Sequence, residues 1–557
     1  MNVRSCFLAG VLLAAAASSA QPVPQTPMTI GSANTAVADP AVSRPRSTPC
    51  RVSLFDAVQF ADFSSKPFAY APPAACPGPW EKVVLEADFS IEAGRQFDRT
   101  ANIWLGGVNV YFGTTAEPSR RVARAWHVER DLTDYTALLL APAAGRTDLG
   151  NLVNGRYTSS LWGSAALVFY PARGGDDEDR GRAPRTADLV LPLSGSPTGG
   201  TVGLFSPTDA LSASFALPTN VERAYLDVVL QHQGANDEFW YSCVPDALGN
   251  ALQSCVGTGF REGEVSVDGT AVGVVPVYPW IFTGGIDPLL WRPIPGVQAL
   301  NFIPYRVDLT PLAGVLSDGK PHQVAISVFN NSQYFSATAT LLVFQDHGSK
   351  RVKGAVTRNT VGAPAPVVTT NLTTAVDGSV SGTVAVTSAR SFVLAGWVNT
   401  SHGRVRTEVK QTVEFSNSQL FSVPTGPANY IQDITQHTNI TSVTRTQGGE
   451  GVREATVRMA WPLEVDFTVP PDGTFQSSIH QGYLRTETAS QDGERESYST
   501  VSNAVAPQDN YPSAQGQANE QHYFSSDSTG ACYSRSITAA AGVLTSITNG
   551  VGCGEGE

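Results

Sequence analysis

The sequence has few charged residues and almost no methionine. Of its 557 residues only 15% are charged and 3 are Met, whereas Gly (51) and Pro (37) are frequent. No long stretch repeats apolar residues at helical spacing, so helices are not expected to dominate. The 42% of hydrophobic residues is enough for packed cores and excludes a disordered chain. This composition predicts an all-β fold.

Several motifs of common enzyme classes are also absent. The sequence has no Gly-x-Ser-x-Gly elbow, His-Glu-x-x-His, phosphate loop or dinucleotide fingerprint. It has no Cys-x-x-Cys, and its eight histidines are scattered, which argues against a metal site. The net charge of −12 without a basic stripe argues against nucleic acid as a partner. We therefore expect no cofactor and no metal.

The first 20 residues resemble a secretory signal peptide. One Arg precedes a short apolar run, and small residues follow up to Ala20. This run is too short to span a membrane, and no later segment is apolar enough to do so. We expect a freely secreted, extracellular or periplasmic monomer without a membrane anchor.

Six cysteines remain once this signal is removed. An even number in an oxidising compartment predicts three disulfides, although six thiols allow many connectivities. Pairing nearest neighbours gives three local loops, which are Cys50–Cys76, Cys243–Cys255 and Cys532–Cys553.

Short apolar strands separated by Gly and Pro follow from Cys50 onward, as in KVVLEADF (82–89) and HQVAISVF (322–329). Such spacing is typical of sandwiches and jelly rolls. The composition changes to Gly, Ser, Pro and Thr near residues 195–210 and becomes polar after about 351. The predicted organisation is a signal (1–20), a flexible arm (21–49), two β-sandwich or jelly-roll domains (50–205 and 206–350) and a β-rich C-terminal region (351–557). That last region could bind glycan, cover a cleft or stabilise the rest.

The stretch 230–241, LQHQGANDEFWY, places two acids beside three aromatic residues. Adjacent residues of an extended chain face opposite sides, so we expect Glu238 to face a cleft and Asp237 to shape the turn or contact substrate. Trp240 could stack on a sugar, and His232 is the nearest histidine. A polar loop with aromatic residues packed below it is an equal alternative.

A second candidate is GRQFDRTANIWLGG, residues 94–107. Arg99 could hold Asp98 ionised or clamp a substrate carbonyl, and Trp104 in the following strand is a candidate substrate contact. An Asp–Arg pair that only caps a strand end is the alternative.

The third candidate is IFTGGIDPLLWRPIPG, residues 281–296. Here Trp291 and Arg292 suit stacking on a sugar and hydrogen bonding to its hydroxyl groups, although a packed Ω-loop would have the same composition. Glu117, in an ordinary turn sequence, is a weaker substrate-binding candidate.

Together these motifs resemble one known family. GRQFDRTANIWLGGV, TTAEPSR, NDEFWYS and IFTGGIDPLLWRPIPG occur in the order typical of the A-type, acid-active peptide:N-glycanases. The resemblance covers about residues 50–350. It implies an amidase that cleaves the bond between Asn and the first N-acetylglucosamine of N-glycans, leaving Asp.

Similarity to the F-type enzymes implies two jelly rolls with the site at their interface. Asp98 then resembles the acid of a Trp-Asp-Arg motif, with Phe97 in place of Trp, and Glu238 resembles the acid of a Glu-Trp motif. A third carboxylate has no counterpart in GRYTSSLWG (155–163).

These similarities imply that Asp98 activates water or engages the amide, and that Arg99 orients and polarises. Glu238 holds the sugar or relays a proton, with the two carboxylates sharing a proton at acid pH. The substrates would be N-glycoproteins or glycopeptides. A glycoside hydrolase using the same acids and a non-catalytic carbohydrate-binding protein remain alternatives.

Overall fold

A computed structural model describes residues 28–172, 185–449 and 451–553 of the chain. The signal peptide expected at residues 1–20 lies outside the described residues. The described part is built almost wholly of β-strands, which confirms the all-β prediction. Its strands form two sandwiches and one large C-terminal sheet.

The first sandwich is a jelly roll. Its strands form two four-stranded sheets in the orders β1-β8-β3-β6 and β2-β7-β4-β5, the arrangement of two interlocked Greek keys. Val83, Phe89 and Phe169 are among the apolar side chains buried between them. The strands are β1 (Cys50–Phe60), β2 (Lys66–Tyr70), β3 (Trp80–Ile91), β4 (Thr100–Leu105), β5 (Val108–Thr114), β6 (Arg124–Asp131), β7 (Ala143–Leu149) and β8 (Leu161–Pro171).

The second sandwich repeats this topology. Its sheets have the orders β10-β17-β12-β15 and β11-β16-β13-β14, with β9 added on β17. Because β9 and β10 pair with β17, we draw the boundary before Leu189 and not at 206; the Gly- and Pro-rich stretch is a loop between two edge segments. The strands are β9 (Leu189–Pro192), β10 (Val202–Leu204), β11 (Leu211–Ala216), β12 (Val221–Gln233), β13 (Glu262–Val267), β14 (Thr270–Pro276), β15 (Tyr305–Asp308), β16 (Pro321–Phe329) and β17 (Tyr334–Gln345).

The C-terminal region forms one 12-stranded antiparallel sheet. Side chains from it, such as Phe415 and Leu463, share a core with the second sandwich, so the sheet is packed on that sandwich. The strands are β18 (Lys353–Asn359), β19 (Val367–Thr374), β20 (Val380–Thr400), β21 (Gly403–Val423), β22 (Tyr430–Gly448), β23 (Gly451–Val469), β24 (Phe475–Gln491), β25 (Glu494–Val505), β26 (Gln508–Tyr511), β27 (Ser513–Asp527), β28 (Cys532–Ala540) and β29 (Val543–Asn549).

Helices are short throughout the described residues. The α-helices are α1 (Ala235–Glu238), α2 (Gly249–Leu252) and α3 (Ala313–Leu316), and the 3-10 helices are Thr133–Leu139, Trp240–Ser242, Asp246–Leu248 and Thr310–Leu312. No helix in the described ranges has the length and apolar character needed to cross a membrane. The three expected disulfides are confirmed, namely Cys50–Cys76, Cys243–Cys255 and Cys532–Cys553.

The arm expected to be flexible is fixed by contacts over residues 28–49. Ala38 is fully buried, and the backbone N–H of Ala36 donates to the carbonyl of Pro293 (3.0 Å). Arg44 forms ion pairs with Glu86 (2.9 Å) and Glu129 (2.6 Å). The prediction of a flexible arm was wrong for these residues because their partners lie far along the chain. These partners satisfy the hydrogen-bonding and charged groups of an arm that has no strand of its own.

Candidate active site between the two jelly rolls

Asp98 lies just before β4 and faces a loop of the second jelly roll. The N–H of Gly284 donates to its Oδ1 (3.2 Å). A Cβ on Gly284 would lie 2.5 Å from that oxygen, so only glycine permits this approach. The Asp98 carboxyl opens to solvent, but the surrounding protein displaces enough water to raise its pKa to about 6, against the opposing effects of the Gly284 hydrogen bond and the Arg99 charge. A proton thus binds Asp98 more tightly than an ordinary aspartate.

Glu238 ends α1 in the second jelly roll and lies within reach of the Asp98 charge. Its N–H donates to the carbonyl of Gly234 (2.6 Å), which closes the turn that follows β12. Loss of water and, as a smaller effect, the charge of Asp98 together raise the pKa of Glu238 to about 7. The structure therefore brings these two acids, distant in sequence, within electrostatic reach of each other. Because Asp98 has the lower pKa, it ionises first and its charge acts on Glu238.

Glu117 supplies a third carboxyl at this cleft. It accepts hydrogen bonds from Gln96 Nε2 (2.6 Å) and from Arg292 (3.4 Å). The pKa of Glu117 is about 7, raised mainly by burial and also by the charge of Asp98, while the Gln96 hydrogen bond and the Arg292 charge oppose the rise. The F-type pattern places a third acid near 155–163, where this sequence has none, whereas Glu117 lies in the loop that follows β5.

Arg99 is buried beneath Asp98. Its Nε donates to the carbonyl of Phe97 (2.9 Å), its Nη1 donates to Asn151, and the guanidinium lies 4.0 Å from the Phe97 ring centroid. Burial lowers the pKa of Arg99 to about 10, at which it is still cationic at neutral pH. The charge of Arg99 therefore lowers the pKa of Asp98. Its hydrogen bonds fix the chain just before β4.

The three tryptophans expected to contact substrate are buried. Trp240, Trp291 and Trp104 have exposed fractions of 0%, 2% and 1%. The Trp240 ring packs 6.1 Å from Phe415 of the C-terminal sheet, and Trp291 Nε1 donates to the carbonyl of Gly285 (3.0 Å). The predicted stacking of Trp240 and Trp291 and the predicted substrate contact of Trp104 are wrong because all three rings are buried.

Asp237, His232 and Arg292 also have internal roles. Asp237 is fully buried, pairs with Arg261 (2.8 Å), and accepts the N–H groups of Ser332 (2.9 Å) and Gln333 (2.7 Å). Its expected turn-shaping role fits these bonds, but its substrate contact does not. Burial of His232 lowers its pKa to about 4, so it is neutral and closed to substrate. Arg292 donates to Glu117 and to the Pro118 carbonyl, and so braces the third carboxyl.

Exposed aromatic residues that sequence analysis missed lie beside both acids. Next to Asp98, Phe97 stacks on Phe63 (6.3 Å between ring centroids) and meets the edge of Tyr157 (5.1 Å). Phe63 is 68% exposed. The sequence around Phe63 gives no sign of this position, because a single Phe in a loop looks the same whether or not it folds next to an acid.

A matching pair lies beside Glu238. Phe205 is 61% exposed and stacks on Tyr334 (5.3 Å). The N–H of Phe205 donates to Asp209 Oδ2 (2.8 Å), which fixes the turn. The charge of Glu238 raises the pKa of Tyr334 in addition to burial, so this pair adjoins the carboxyl.

A protein family matches more than half of this chain. The family described as "Peptide N-acetyl-beta-D-glucosaminyl asparaginase amidase A" matches residues 39–361. This chain belongs to that family. The result confirms the resemblance inferred from the motifs.

A curated relative supports the same assignment. The peptide-N4-(N-acetyl-beta-glucosaminyl)asparagine amidase A of Prunus dulcis is 33% identical over 392 residues, 68% of this chain and 67% of the relative. The solved structure of PNGase F, a glycosylasparaginase from Flavobacterium meningosepticum, is 14% identical with a TM-score of 0.34, and covers 54% of this chain and 96% of its own. A structure of PNGF-II is 12% identical with a TM-score of 0.35, over 54% and 65%.

No group of three or more His, Cys, Asp or Glu side chains suited to a metal ion occurs among the described residues. The groups that lie near one another here are three carboxyls, the buried charge of Arg99 and aromatic rings. Such groups can move protons and hold a polar substrate with flat sugar faces.

Proposed function

We propose that this chain hydrolyses the amide between an Asn side chain and the first N-acetylglucosamine of N-linked glycans. The observation that carries the proposal is the pair Asp98 and Glu238, contributed by different jelly rolls and both with raised pKa values. The family and the name of the almond relative point to the same reaction. N-glycoproteins or glycopeptides are the substrates.

The two acids have different tasks because their pKa values differ. An amide is a poor electrophile, so water must lose a proton as it attacks the carbonyl carbon. Asp98, ionised above about pH 6, accepts that proton. Glu238, protonated below about pH 7, gives its proton to the leaving nitrogen as the carbon–nitrogen bond breaks. The products are an Asp side chain and a glycosylamine.

The remaining charged groups tune this pair. The Arg99 cation lowers the pKa of Asp98, which keeps this base available in mildly acidic solution. Glu117 lies within reach of the Asp98 charge and can hold a polar group of the substrate. Arg292 limits the charge at this position by pairing with Glu117.

The exposed aromatic pairs replace the buried tryptophans as substrate contacts. Phe205 with Tyr334 borders Glu238, and Phe63 with Phe97 borders Asp98. Ring faces that adjoin the acids suit the apolar faces of sugars. We assign the Phe205 pair to the glycan.

We further propose that the chain is secreted and acts as a monomer without a membrane anchor. The three disulfides support an oxidising compartment.

The deciding experiment is the mass of a denatured glycopeptide after incubation with the protein. An amidase converts the glycosylated Asn to Asp, a glycoside hydrolase leaves Asn that is bare or still carries sugar, and a binding protein changes nothing. Asp98→Asn and Glu238→Gln should each abolish the conversion, whereas Asp472→Asn, at an exposed turn of the C-terminal sheet, should retain it. Full conversion by Asp98→Asn would refute the proposed role of that carboxylate.

A further inference from the structure

The C-terminal sheet buries a set of amide side chains against the second jelly roll. A buried polar group is costly unless it is hydrogen-bonded, and apolar side chains would serve plain packing better. The family match ends at residue 361, so it assigns nothing to the strands that carry these amides. The buried amide residues include Asn417, Gln419, Gln432, Gln436, Gln481, Gln517 and Asn519, and the same sheet buries others such as Gln411.

Three of them cap consecutive carbonyl groups just after Glu238. In the segment 241–243, the first carbonyl accepts from Asn417 Nδ2 (2.8 Å). The second accepts from Gln432 Nε2 (2.9 Å), and the third from Gln419 Nε2 (2.9 Å). Each residue of the segment 241–243, which follows Glu238, is thus hydrogen-bonded through its carbonyl to the C-terminal sheet.

These amides also fix one another. Gln432 donates to Gln419 Oε1 (2.9 Å), Gln419 donates to Asn417 Oδ1 (3.0 Å), and Asn417 donates to Gln436 Oε1 (3.0 Å). Gln419 and Asn417 therefore each have their oxygen held by a neighbouring amide while their nitrogen donates to a loop carbonyl. Such a chain of hydrogen bonds resists reorientation of any one member.

A second group holds the loop that contacts Asp98. This loop joins β14 to β15, and its Arg292 carbonyl accepts from Gln517 (2.6 Å) while its Ile294 carbonyl accepts from Asn519 (2.7 Å). Gln481 bonds both ends of it, donating to the Pro279 carbonyl (2.7 Å) and accepting from the Val297 N–H (2.8 Å). The same sheet thus forms hydrogen bonds with the segment that follows Glu238 and with the loop that contacts Asp98.

We propose that the C-terminal sheet positions the active site, with Asn417, Gln419 and Gln432 as positioning residues for Glu238. This inference rests on the proposed function of the cleft. Apolar contacts allow packed segments to shift slightly against each other. Hydrogen bonds to three successive carbonyl groups instead fix the position of the segment that follows Glu238. Misplacement of a reacting group by about 1 Å can lower the rate about a hundredfold.

Gln411 provides a matched control on the same strand, β21. It is also buried, but its amide donates to the Tyr305 hydroxyl (2.6 Å), which belongs to neither loop. Gln411→Met and Gln419→Met therefore remove the same chemistry from the same interface. Only Gln419→Met removes a hydrogen bond to the segment that follows Glu238.

The test compares kcat, KM and the pH profile of these two variants on one glycopeptide. We expect Gln419→Met to lower kcat by between about tenfold and about a hundredfold, and to shift the limb assigned to Glu238, with KM little changed. Gln411→Met should keep the kcat and pH profile of the natural chain. Equal kcat values and equal profiles for the two variants would overturn the inference. Gln432→Met gives the same comparison if Gln419→Met does not fold.

One measurement separates failure of this inference from failure of the proposed function. NMR titration of carboxyl-labelled Glu238 needs no substrate. If the glycopeptide is not converted, a shifted titration in Gln419→Met and not in Gln411→Met still supports positioning. An unchanged titration in both variants would refute it.

Discussion

Replacing Glu238 with Gln should stabilise the protein at high pH while removing its activity. The pKa of this carboxyl rises from 4.5 to about 7 in the folded protein, which corresponds to at most about 3 kcal/mol. Below about pH 4.5 both folded and unfolded chains bind the proton, so the carboxyl costs nothing. As pH rises towards 7 the unfolded chain releases the proton first, and stability falls. Gln cannot ionise, so Glu238→Gln recovers this loss at pH 8 and has little effect at pH 4.

Urea unfolding at pH 4 and pH 8 measures the effect. The quantity to compare is the gain in free energy of unfolding of Glu238→Gln at pH 8 minus its gain at pH 4, expected to be up to about 3 kcal/mol. Glu494→Gln, at an exposed position of β25, is the control and should show no such difference. A gain that is the same at both pH values would refute the assignment of a raised pKa to Glu238.

Three further predictions concern the cleft and its support. The hydrolysis rate should rise as pH approaches the pKa of Asp98, about 6, and fall above that of Glu238, about 7; a flat rate from acid to neutral pH would contradict these roles. Phe205→Ala should raise KM for a glycopeptide severalfold with kcat nearly unchanged, and an unchanged KM would exclude the stacking contact. Arg261→Met leaves Asp237 buried without its partner and should cost about 3–5 kcal/mol in urea unfolding, so unaltered stability would show that the pair is dispensable.

Much of the framework follows from local patterns in the sequence. Alternating apolar residues separated by Gly and Pro predicted the strands of both jelly rolls, and nearest-neighbour pairing predicted all three disulfides. Both inferences depend on residues close together along the chain. The meeting of Asp98 with Glu238 was not derivable in this way, because it depends on the packing of two domains and was inferred only from resemblance.

The errors have a common physical cause. An aromatic residue beside an acid is the same in sequence whether its ring faces the cleft or the core, so Trp240 was expected at the surface and Phe205 was overlooked. The polar strands of the C-terminal region pose the same problem in reverse. Gln419 is a polar residue of an alternating strand, yet it lies on the buried face because a carbonyl of another domain satisfies its amide. Face and partner are tertiary properties that periodicity alone does not contain.

The placement of the acids on separate jelly rolls explains why the site needs external support. Asp98 meets the second jelly roll at Gly284, and its charge acts on Glu238 across the interface, so a small movement between the domains alters both pKa values together. In the proposed mechanism ionised Asp98 accepts a proton and protonated Glu238 gives one. A wider gap would weaken the contribution of the Asp98 charge to the raised pKa of Glu238, which adds to the larger effect of burial. Hydrogen bonds from one sheet to the segments next to both acids oppose such movement, and a site that depends on a domain interface requires such a restraint.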